Sequence, residues 1–381
     1  MYYIEQNKGD FIMAGSTYGK IFSITTWGES HGAGIGVVID GCPAGLPLSE
    51  NDIQSYLNRR KPGQSKFTTP RKESDQAEIL SGVFEGKTTG TPISILIRNE
   101  DQRSRDYGKI KDCYRPGHAD YTFDSKYGFR DYRGGGGSSG RETIGRVAAG
   151  AIACKILEEL GISIIAYTKS IGNISVPVSE YDYNCINDNK LYMPNTEYAK
   201  KASDYLEECI KNQDSSGGII ECIVTGMPVG IGEPVFDKLD ANLAKAVMSI
   251  GSVKGVEIGD GFNVAHMPGS ENNDAFELCA ENNQKTVKTT NHSGGVLGGM
   301  SDGDKIILRA AIKPTPSIGQ TQKTVTKDGE ETDIAITGRH DPVIVPRAVV
   351  VVESMVAITL VDMLFANMSS RMDNLFKIYK V

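Results

Sequence analysis

The chain has 381 residues, 39% hydrophobic and 23% charged, and its formal net charge is -7. This composition is typical of a folded protein with one large domain or two ordinary ones. The acidic balance argues against a general nucleic-acid-binding protein, because such proteins neutralise many phosphates with Lys and Arg. The seven Cys include no Cys-x-x-Cys pair. We therefore expect reduced thiols and no structural metal.

The N-terminus lacks the basic and apolar regions of a secretory signal, so we expect a cytoplasmic protein. The first predicted elements are a strand at residues 35–39, a helix after Ser49 and a strand at residues 93–98. Ser49 and Asp52 form a capping-box pattern, and Pro62 ends the helix. Arg59 and Arg60 consequently lie in its last turn.

Further elements alternate without regular β-α-β spacing, which favours an α+β fold. Residues 348–367 form a largely buried helix or a strand leading into one. Glu353 and Asp362 interrupt this apolar stretch too soon for a membrane span. Residues 176–195 read as a surface insertion. The other predicted elements are helices at 141–157, 198–212 and 239–250, and strands at 217–224 and 306–312.

None of the five histidines pairs with another at the i, i+4 spacing of a helical metal site. A single loop histidine more often serves a structural role, but histidine is also the usual proton-transfer group. His118 follows Arg115-Pro116-Gly117 and precedes Asp120. An anion held by Arg115 would meet an imidazole able to donate a proton, as suits a phosphate leaving group. His31, His292 and His340 also lie in short polar or Gly-rich segments.

Two Gly-rich segments are candidate binding loops. Residues 134–140 lead directly into the helix that begins at Arg141, which suits an anion cradle; the alternative is a flexible linker. The segment lacks the Gly-Lys-Ser/Thr ending of a nucleotide-binding Walker A loop. Residues 294–299 would let a planar ring approach the backbone, or form an ordinary β-turn. Arg residues in neighbouring loops favour a small, multiply anionic substrate.

Nine segments together carry a family resemblance. In chain order they are Gly28-Glu29-Ser30-His31-Gly32, Arg59-Arg60-Lys61-Pro62-Gly63, Asp101-Gln102-Arg103-Ser104, Arg115-Pro116-Gly117-His118-Ala119-Asp120, Gly134-Gly135-Gly136-Gly137, Lys254-Gly255-Val256-Glu257-Ile258-Gly259, Asn291-His292-Ser293-Gly294-Gly295, Lys313-Pro314-Thr315-Pro316-Ser317 and Gly338-Arg339-His340-Asp341-Pro342. With these segments the chain resembles the chorismate synthase family. The resemblance implies a lyase that converts 5-enolpyruvylshikimate 3-phosphate to chorismate by 1,4-elimination of phosphate, the last step of the shikimate pathway. It also implies a requirement for reduced FMN, although there is no net redox change.

The resemblance also implies roles for individual residues. His31 would protonate the flavin, His118 the departing phosphate, and Asp341 would assist proton movement at flavin N5. Arg60 and Lys66 lie at positions associated with NADPH, with a substrate anion as the alternative, and Arg115 would hold substrate phosphate or carboxylate. Flavin contacts would fall on Ser138, Ser139, Gly251, Ser252, Gly298, Lys313, Pro314, Thr315, Pro316, Ser317 and Arg339.

The implied fold is a β-α-β sandwich with helices between two antiparallel sheets, assembled as a homotetramer. NADPH would reduce the flavin on this chain, or a separate flavin reductase would do so. Residues 1–12 read as an N-terminal extension to a single domain at 13–381.

One departure concerns the tetraglycine loop, where Gly137 replaces the family's usual Arg and Gly140 its Ala. Loss of that cation favours one alternative, an FMN-binding protein without lyase activity. A second alternative, a module whose Gly-rich loops bind nucleic acid, is opposed by the acidic balance.

Overall fold

The computed structural model describes residues 15–68, 73–100, 111–133, 135–278, 286–336 and 341–380. The helices are α1 Glu50–Arg60, α2 Asp120–Tyr127, α3 Thr143–Glu159, α4 Thr196–Lys211, α5 Leu239–Met248, α6 Gly269–Asn272, α7 Val345–Asn367 and α8 Met372–Tyr379. The strands are β1 Thr17–Tyr18, β2 Ser23–Gly28, β3 Gly34–Asp40, β4 Ala77–Ile79, β5 Val83–Phe84, β6 Lys87–Thr88, β7 Ile93–Arg98, β8 Ser163–Ile171, β9 Ile174–Ser175, β10 Gly218–Thr225, β11 Val253–Ile258, β12 Phe276–Glu277, β13 Val287–Lys288, β14 Val296–Leu297, β15 Met300–Ser301, β16 Ile306–Ile312, β17 Gln322–Val325 and β18 Glu331–Ile334.

Two five-stranded sheets frame the molecule. The first has the order β1-β2-β3-β7-β4 and the second the order β11-β16-β10-β8-β9, and neighbouring strands in both are antiparallel. Side chains alternate between the two faces of a strand, so Ile35, Val37 and Ile39 of β3 all point into the core. Ile306, Leu308 and Ala310 of β16 do the same in the second sheet.

The long helices fill the space between the sheets. Helices α1 and α3 pack on the first sheet, α7 packs on the second, and α3 crosses α7. One buried cluster runs from Phe22 to Val361 and joins both sheets to the helices. The predicted α+β sandwich, with helices between two antiparallel sheets, is confirmed.

Local sequence signals predict where several helices begin and end. Ser49 and Asp52 make the capping box at the start of α1, and Arg59 and Arg60 lie in its last turn. Helix α3 begins at Thr143, two residues later than expected, because residues 140–142 first form a 3-10 turn capped by the Ser139 side chain.

Helix α7 is the one described helix long and apolar enough to cross a membrane, with a mean hydropathy of 2.2 in its most apolar window. That window is 83% buried inside the protein, so α7 is the core helix of the sandwich. Its Glu353 accepts two hydrogen bonds from Arg59, at 2.8 and 2.7 Å. The pairing offsets the cost of burying a carboxylate among apolar helices.

The predicted surface insertion packs more deeply than expected. Ile186 of this segment lies against Tyr167 and Ile223 on the outer face of the second sheet, and Met193 is fully buried. One of its polar residues, Asn189, folds the segment on itself, because its side chain forms hydrogen bonds with the backbone at Cys185 and Met193.

Candidate active site

A cleft of about 860 Å³ opens at one end of the sandwich. It lies where α3 and α7 begin, so the positive ends of two helix dipoles face it and favour anionic ligands. The end of β2, the last residue of α1 and the segment after β16 complete the walls. Its volume is within the usual range for small-molecule sites. Cationic side chains on its wall are Arg60, Arg115, Arg146, Lys313 and Arg347.

His118 lines the cleft on a short turn that is held by a buried ion pair between Arg115 and Asp120. Arg115 donates to Asp120 from Nε at 2.7 Å and from Nη2 at 2.9 Å. Nδ1 of His118 lies 3.0 Å from Asp120 Oδ1 and 3.1 Å from Arg115 Nη2. Burial opposes ionisation of Asp120, but hydrogen bonds from Arg115 and His118 hold its pKa well below the usual range.

The opposite ring nitrogen of His118 faces the Gly-rich loop. A Cβ at Gly135 would lie 3.4 Å from Nε2, and Gly135 has a φ of +86°, so glycine serves both the close approach and the left-handed backbone. With Nδ1 donating to Asp120, the doubly protonated ring can give up its second proton from Nε2 on the cleft side.

His31 occupies a tight turn between β2 and β3. The Gly32 N–H donates to the Glu29 carbonyl at 3.1 Å, which places Ser30 and His31 at the two central positions of the turn. His31 is 9% exposed. Gly28, at the end of β2, and Glu29, the first residue of the turn, line the cleft, whereas His31 itself is not part of the cleft wall.

The loop from Gly135 to Gly140 brings Ser138, Ser139 and Gly137 to the cleft wall. The Ser139 side chain accepts from the Arg141 N–H, which fixes the start of the helical region. At Gly137 an added Cβ would meet nothing within 4 Å. A side chain at Gly137 would therefore extend into open space beside the cleft.

Arg60 forms part of the cleft wall although its side chain is only 1% exposed. Its Nη1 donates to Asp75 at 3.1 Å, while its buried Nη2 has no hydrogen-bond partner within the described ranges. Burial lowers the pKa of Arg60 to about 9, against the opposing effect of Asp75, so the side chain stays cationic at neutral pH. An anionic ligand would supply the missing acceptor.

Asp341 meets the cleft beside Arg347. The Arg347 side chain donates to Asp341 at 2.5 Å and to the Arg60 backbone carbonyl at 3.0 Å. Thr315, on the segment after β16, donates to the Asp341 carbonyl at 2.8 Å. These contacts join the predicted flavin segment to the start of α7.

Most predicted binding residues meet in this one cleft: Ser138, Ser139, Gly251, Ser252, Lys313, Thr315, Pro316, Ser317, Arg60 and Arg115. Lys313 donates to the Gly117 carbonyl at 2.5 Å, which ties the segment after β16 to the His118 turn. Burial and the nearby Lys254 lower the pKa of Lys313. Pro314 belongs to the same segment but does not line the cleft.

Two predicted residues lie elsewhere. Gly298 is in the turn between β14 and β15, before β16, whereas Lys313 follows the far end of β16. Lys313 lines the cleft, whereas Gly298 does not. The exposed Lys66 pairs with Glu207 outside the cleft wall. The predicted Arg339 lies outside the described residues.

Arg146 and Arg347 are cleft cations that the sequence analysis missed. Arg146 follows Glu142 by one helical turn and pairs with it at 3.0 Å, a spacing visible in the sequence. Arg347 stands alone at the start of the apolar helix, which is a weaker signal. Within the described ranges, no cluster of three or more His, Cys, Asp or Glu could hold a metal ion.

Comparison with known proteins decides the family. The chorismate synthase family model matches residues 22–365. The chain belongs to the chorismate synthase family. Chorismate synthase from Agathobacter rectalis is 64% identical over 368 residues, covering 97% of this chain and 100% of the relative. The enzyme from Lachnoclostridium phytofermentans is 66% identical with the same coverage.

A crystal structure of chorismate synthase has a TM-score of 0.73 with 33% sequence identity, covering 94% of this chain and 96% of that one. The chain is therefore a lyase of aromatic biosynthesis with the chorismate synthase fold.

Proposed function

We propose that this chorismate synthase converts 5-enolpyruvylshikimate 3-phosphate to chorismate and phosphate in the cytoplasm, as the last step of the shikimate pathway, and that reduced FMN is required. The observation that carries the proposal is the cleft itself, which combines five cationic side chains with His118. A substrate with phosphate and carboxylate groups matches those charges. Family membership implies the flavin.

The cleft suits a flavin together with the substrate. A Cβ added at Gly251 or at Gly137 would meet nothing within 4 Å, so the backbone is accessible on two walls of the cleft. Residues that would hold FMN are Ser138, Ser139, Gly251, Ser252, Lys313, Thr315, Pro316 and Ser317, with Pro314, Gly298 and Arg339 retained from the family resemblance. When bound, reduced flavin would supply electron density that assists loss of the phosphate, and that density would return as a hydrogen is lost from carbon 6, so there is no net redox change.

The remaining steps fall to side chains of this chain. Arg115 and Arg60 bind the anionic groups and orient the ester phosphate toward His118. His118 donates a proton from Nε2 to the leaving phosphate oxygen, while Asp120 holds Nδ1. With flavin bound, His31 would donate a proton to it, and Asp341, held by Arg347, would assist proton movement at its N5 atom. Lys66 remains a candidate for NADPH or for a substrate anion, as does Arg60.

Anaerobic turnover with chemically reduced FMN tests this proposal. Purified protein should release phosphate and form chorismate from the enolpyruvyl substrate, and oxidised FMN should give no product. Flavin binding without phosphate release would instead indicate the FMN-binding alternative. A second assay with NADPH as sole reductant separates self-reduction from dependence on a flavin reductase.

We further propose a single domain at residues 13–381 that assembles as a homotetramer. The continuous core from Phe22 to Val361 supports one domain. Large apolar side chains on the surface, such as Phe236, which is 92% exposed, and Leu278, which is 86% exposed, support an assembly in which other copies of the chain cover them. Light scattering should give four times the mass of the chain, and a monomer would refute the assembly.

A further inference from the structure

Asn99 connects the His31 turn to the charged wall of the cleft. It follows β7 directly, and its N–H donates to the Ala33 carbonyl at 3.3 Å, one step beyond the ladder between β3 and β7. Its side-chain Nδ2 donates to the Glu29 carbonyl at 2.9 Å and to the Gly32 carbonyl at 2.8 Å. Asn99 thus holds backbone groups on both sides of His31.

The orientation of this amide is fixed from the other side. Arg141 Nε donates to Asn99 Oδ1 at 2.9 Å. A flipped amide would place its NH₂ donor against the Arg141 N–H and its oxygen against the two turn carbonyls. Arg141 also donates to Asp75 Oδ1 at 3.1 Å, and Asp75 Oδ2 accepts from Arg60 at 3.1 Å. A chain of charge-assisted hydrogen bonds therefore runs from Arg60 at the cleft, through Asp75 and Arg141, to Asn99.

The elements of this chain come from distant parts of the sequence. Asp75 is fully buried and has a φ of +47°, an uncommon backbone for a residue other than glycine. Its carboxylate is shared by two guanidinium groups and holds both in place. Asn99 is the one neutral amide in this series, and its two donors are directed to the carbonyls of the turn.

We propose that Asn99 is a positioning residue for His31, acting by locking the turn that carries the histidine. This inference rests on the proposed function, in which His31 delivers a proton to the flavin. Proton transfer requires placement within hydrogen-bond reach, and a displacement of 1 Å costs up to about 100-fold in rate. Without the two bonds from Asn99, the turn would hold His31 less closely.

Asn99→Asp is the sharpest test, because it keeps the shape and the acceptor for Arg141 but removes both donors to the turn. We expect a loss of kcat of about ten-fold or more, with KM for the enolpyruvyl substrate changed by less than about three-fold. Ser74→Ala is the matched control, since it removes an exposed hydrogen bond to neighbouring Glu100 and leaves the turn intact.

A double-mutant cycle distinguishes positioning from general loss of structure. In a His31→Ala background, Asn99→Asp should lower kcat by less than about two-fold, because the side chain it positions is already absent. Equal losses in the two backgrounds would overturn the proposal. A kcat for Asn99→Asp within about three-fold of wild type would also overturn it.

Hydrogen exchange gives a readout that does not depend on activity or on flavin. In the protein without added flavin, the peptide covering residues 28–33 should exchange faster in Asn99→Asp than in wild type or Ser74→Ala. Unchanged exchange overturns the proposal even if activity falls. Asn99→Ser serves the same test if the first variant does not fold. Inactive wild-type protein would refute the proposed function, and exchange alone would then decide the role of Asn99.

Discussion

At the scale of single residues, His118 combines the contacts expected of a general acid. Asp120, itself held by Arg115, accepts from Nδ1, and Nε2 is directed to the Gly-rich loop at the cleft. His118→Ala should lower turnover by about two to four orders of magnitude, the span usual for a general acid. Steady-state assays with reduced FMN measure this loss. Exposed His266 lies outside the cleft, so His266→Ala should keep wild-type turnover.

A flavin titration of His118→Ala shows which step is lost. If His118 acts on the phosphate, the variant should bind flavin with nearly wild-type affinity. The chain has one tryptophan, Trp27, and it lines the cleft, so its fluorescence reports binding directly. Wild-type turnover in His118→Ala would remove this residue from the mechanism.

Gly137 gives a second prediction at residue scale. Because the family usually has Arg here and the site has open space around the Cβ position, Gly137→Arg should fold normally. The added cation should tighten binding of an anionic ligand by about two- to five-fold, as expected for a solvent-exposed ion pair. Gly137→Ala is the control that adds only the Cβ. Fluorescence titration of Trp27 with FMN measures both variants, and equal affinities would contradict the prediction.

At the scale of secondary-structure elements, α3 and α7 cross at Gly150. A Cβ at this position would overlap the side chain of Ser354 on α7. Gly150→Ala should therefore destabilise the protein by about 1–3 kcal/mol through overpacking, despite the better helix propensity of Ala. Urea unfolding should show a lower midpoint with an unchanged slope.

Gly269→Ala is the matched substitution for that experiment. Gly269 is also a helical glycine, the first residue of α6, but an added Cβ there would meet nothing within 4 Å. Its stability should stay the same or rise slightly, because Ala restricts the unfolded chain. If both variants lost equal stability, close helix packing would not be the cause.

The elements also show where sequence reasoning succeeds. The strand at β16 and the start of α1 follow from a short apolar run and a capping box, both of which are local signals. Contacts between distant residues leave no such pattern. Arg347 bonds the Arg60 carbonyl across 287 positions, and Arg141 bonds Asp75 across 66. The family resemblance named cleft residues, but it did not reveal the pairs that hold them.

At the scale of the whole molecule, Asp274 is a buried carboxylate remote from the cleft wall. It accepts from Thr290 Oγ1 at 2.7 Å, from the His292 N–H at 2.8 Å and from the Ser293 N–H at 3.0 Å. Lys288 lies 3.5 Å away. Burial alone would raise the pKa of Asp274, but the hydrogen bonds hold it well below the usual range.

The sign of this shift predicts how stability depends on pH. The carboxylate ionises more readily in the folded chain than in the unfolded one, so its contribution to stability is complete above the unfolded pKa near 3.9 and declines as pH falls toward the folded pKa.

Asp274→Asn should be less stable than wild type by about 1–3 kcal/mol at pH 7, because buried donors lose their charged acceptor. Urea unfolding should show the same difference at pH 5, and a smaller one below about pH 4. The exposed Asp328 provides the control, since Asp328→Asn should follow the wild-type curve throughout. A difference that stayed constant down to pH 3 would mean that the ionised form of Asp274 is not what stabilises the fold.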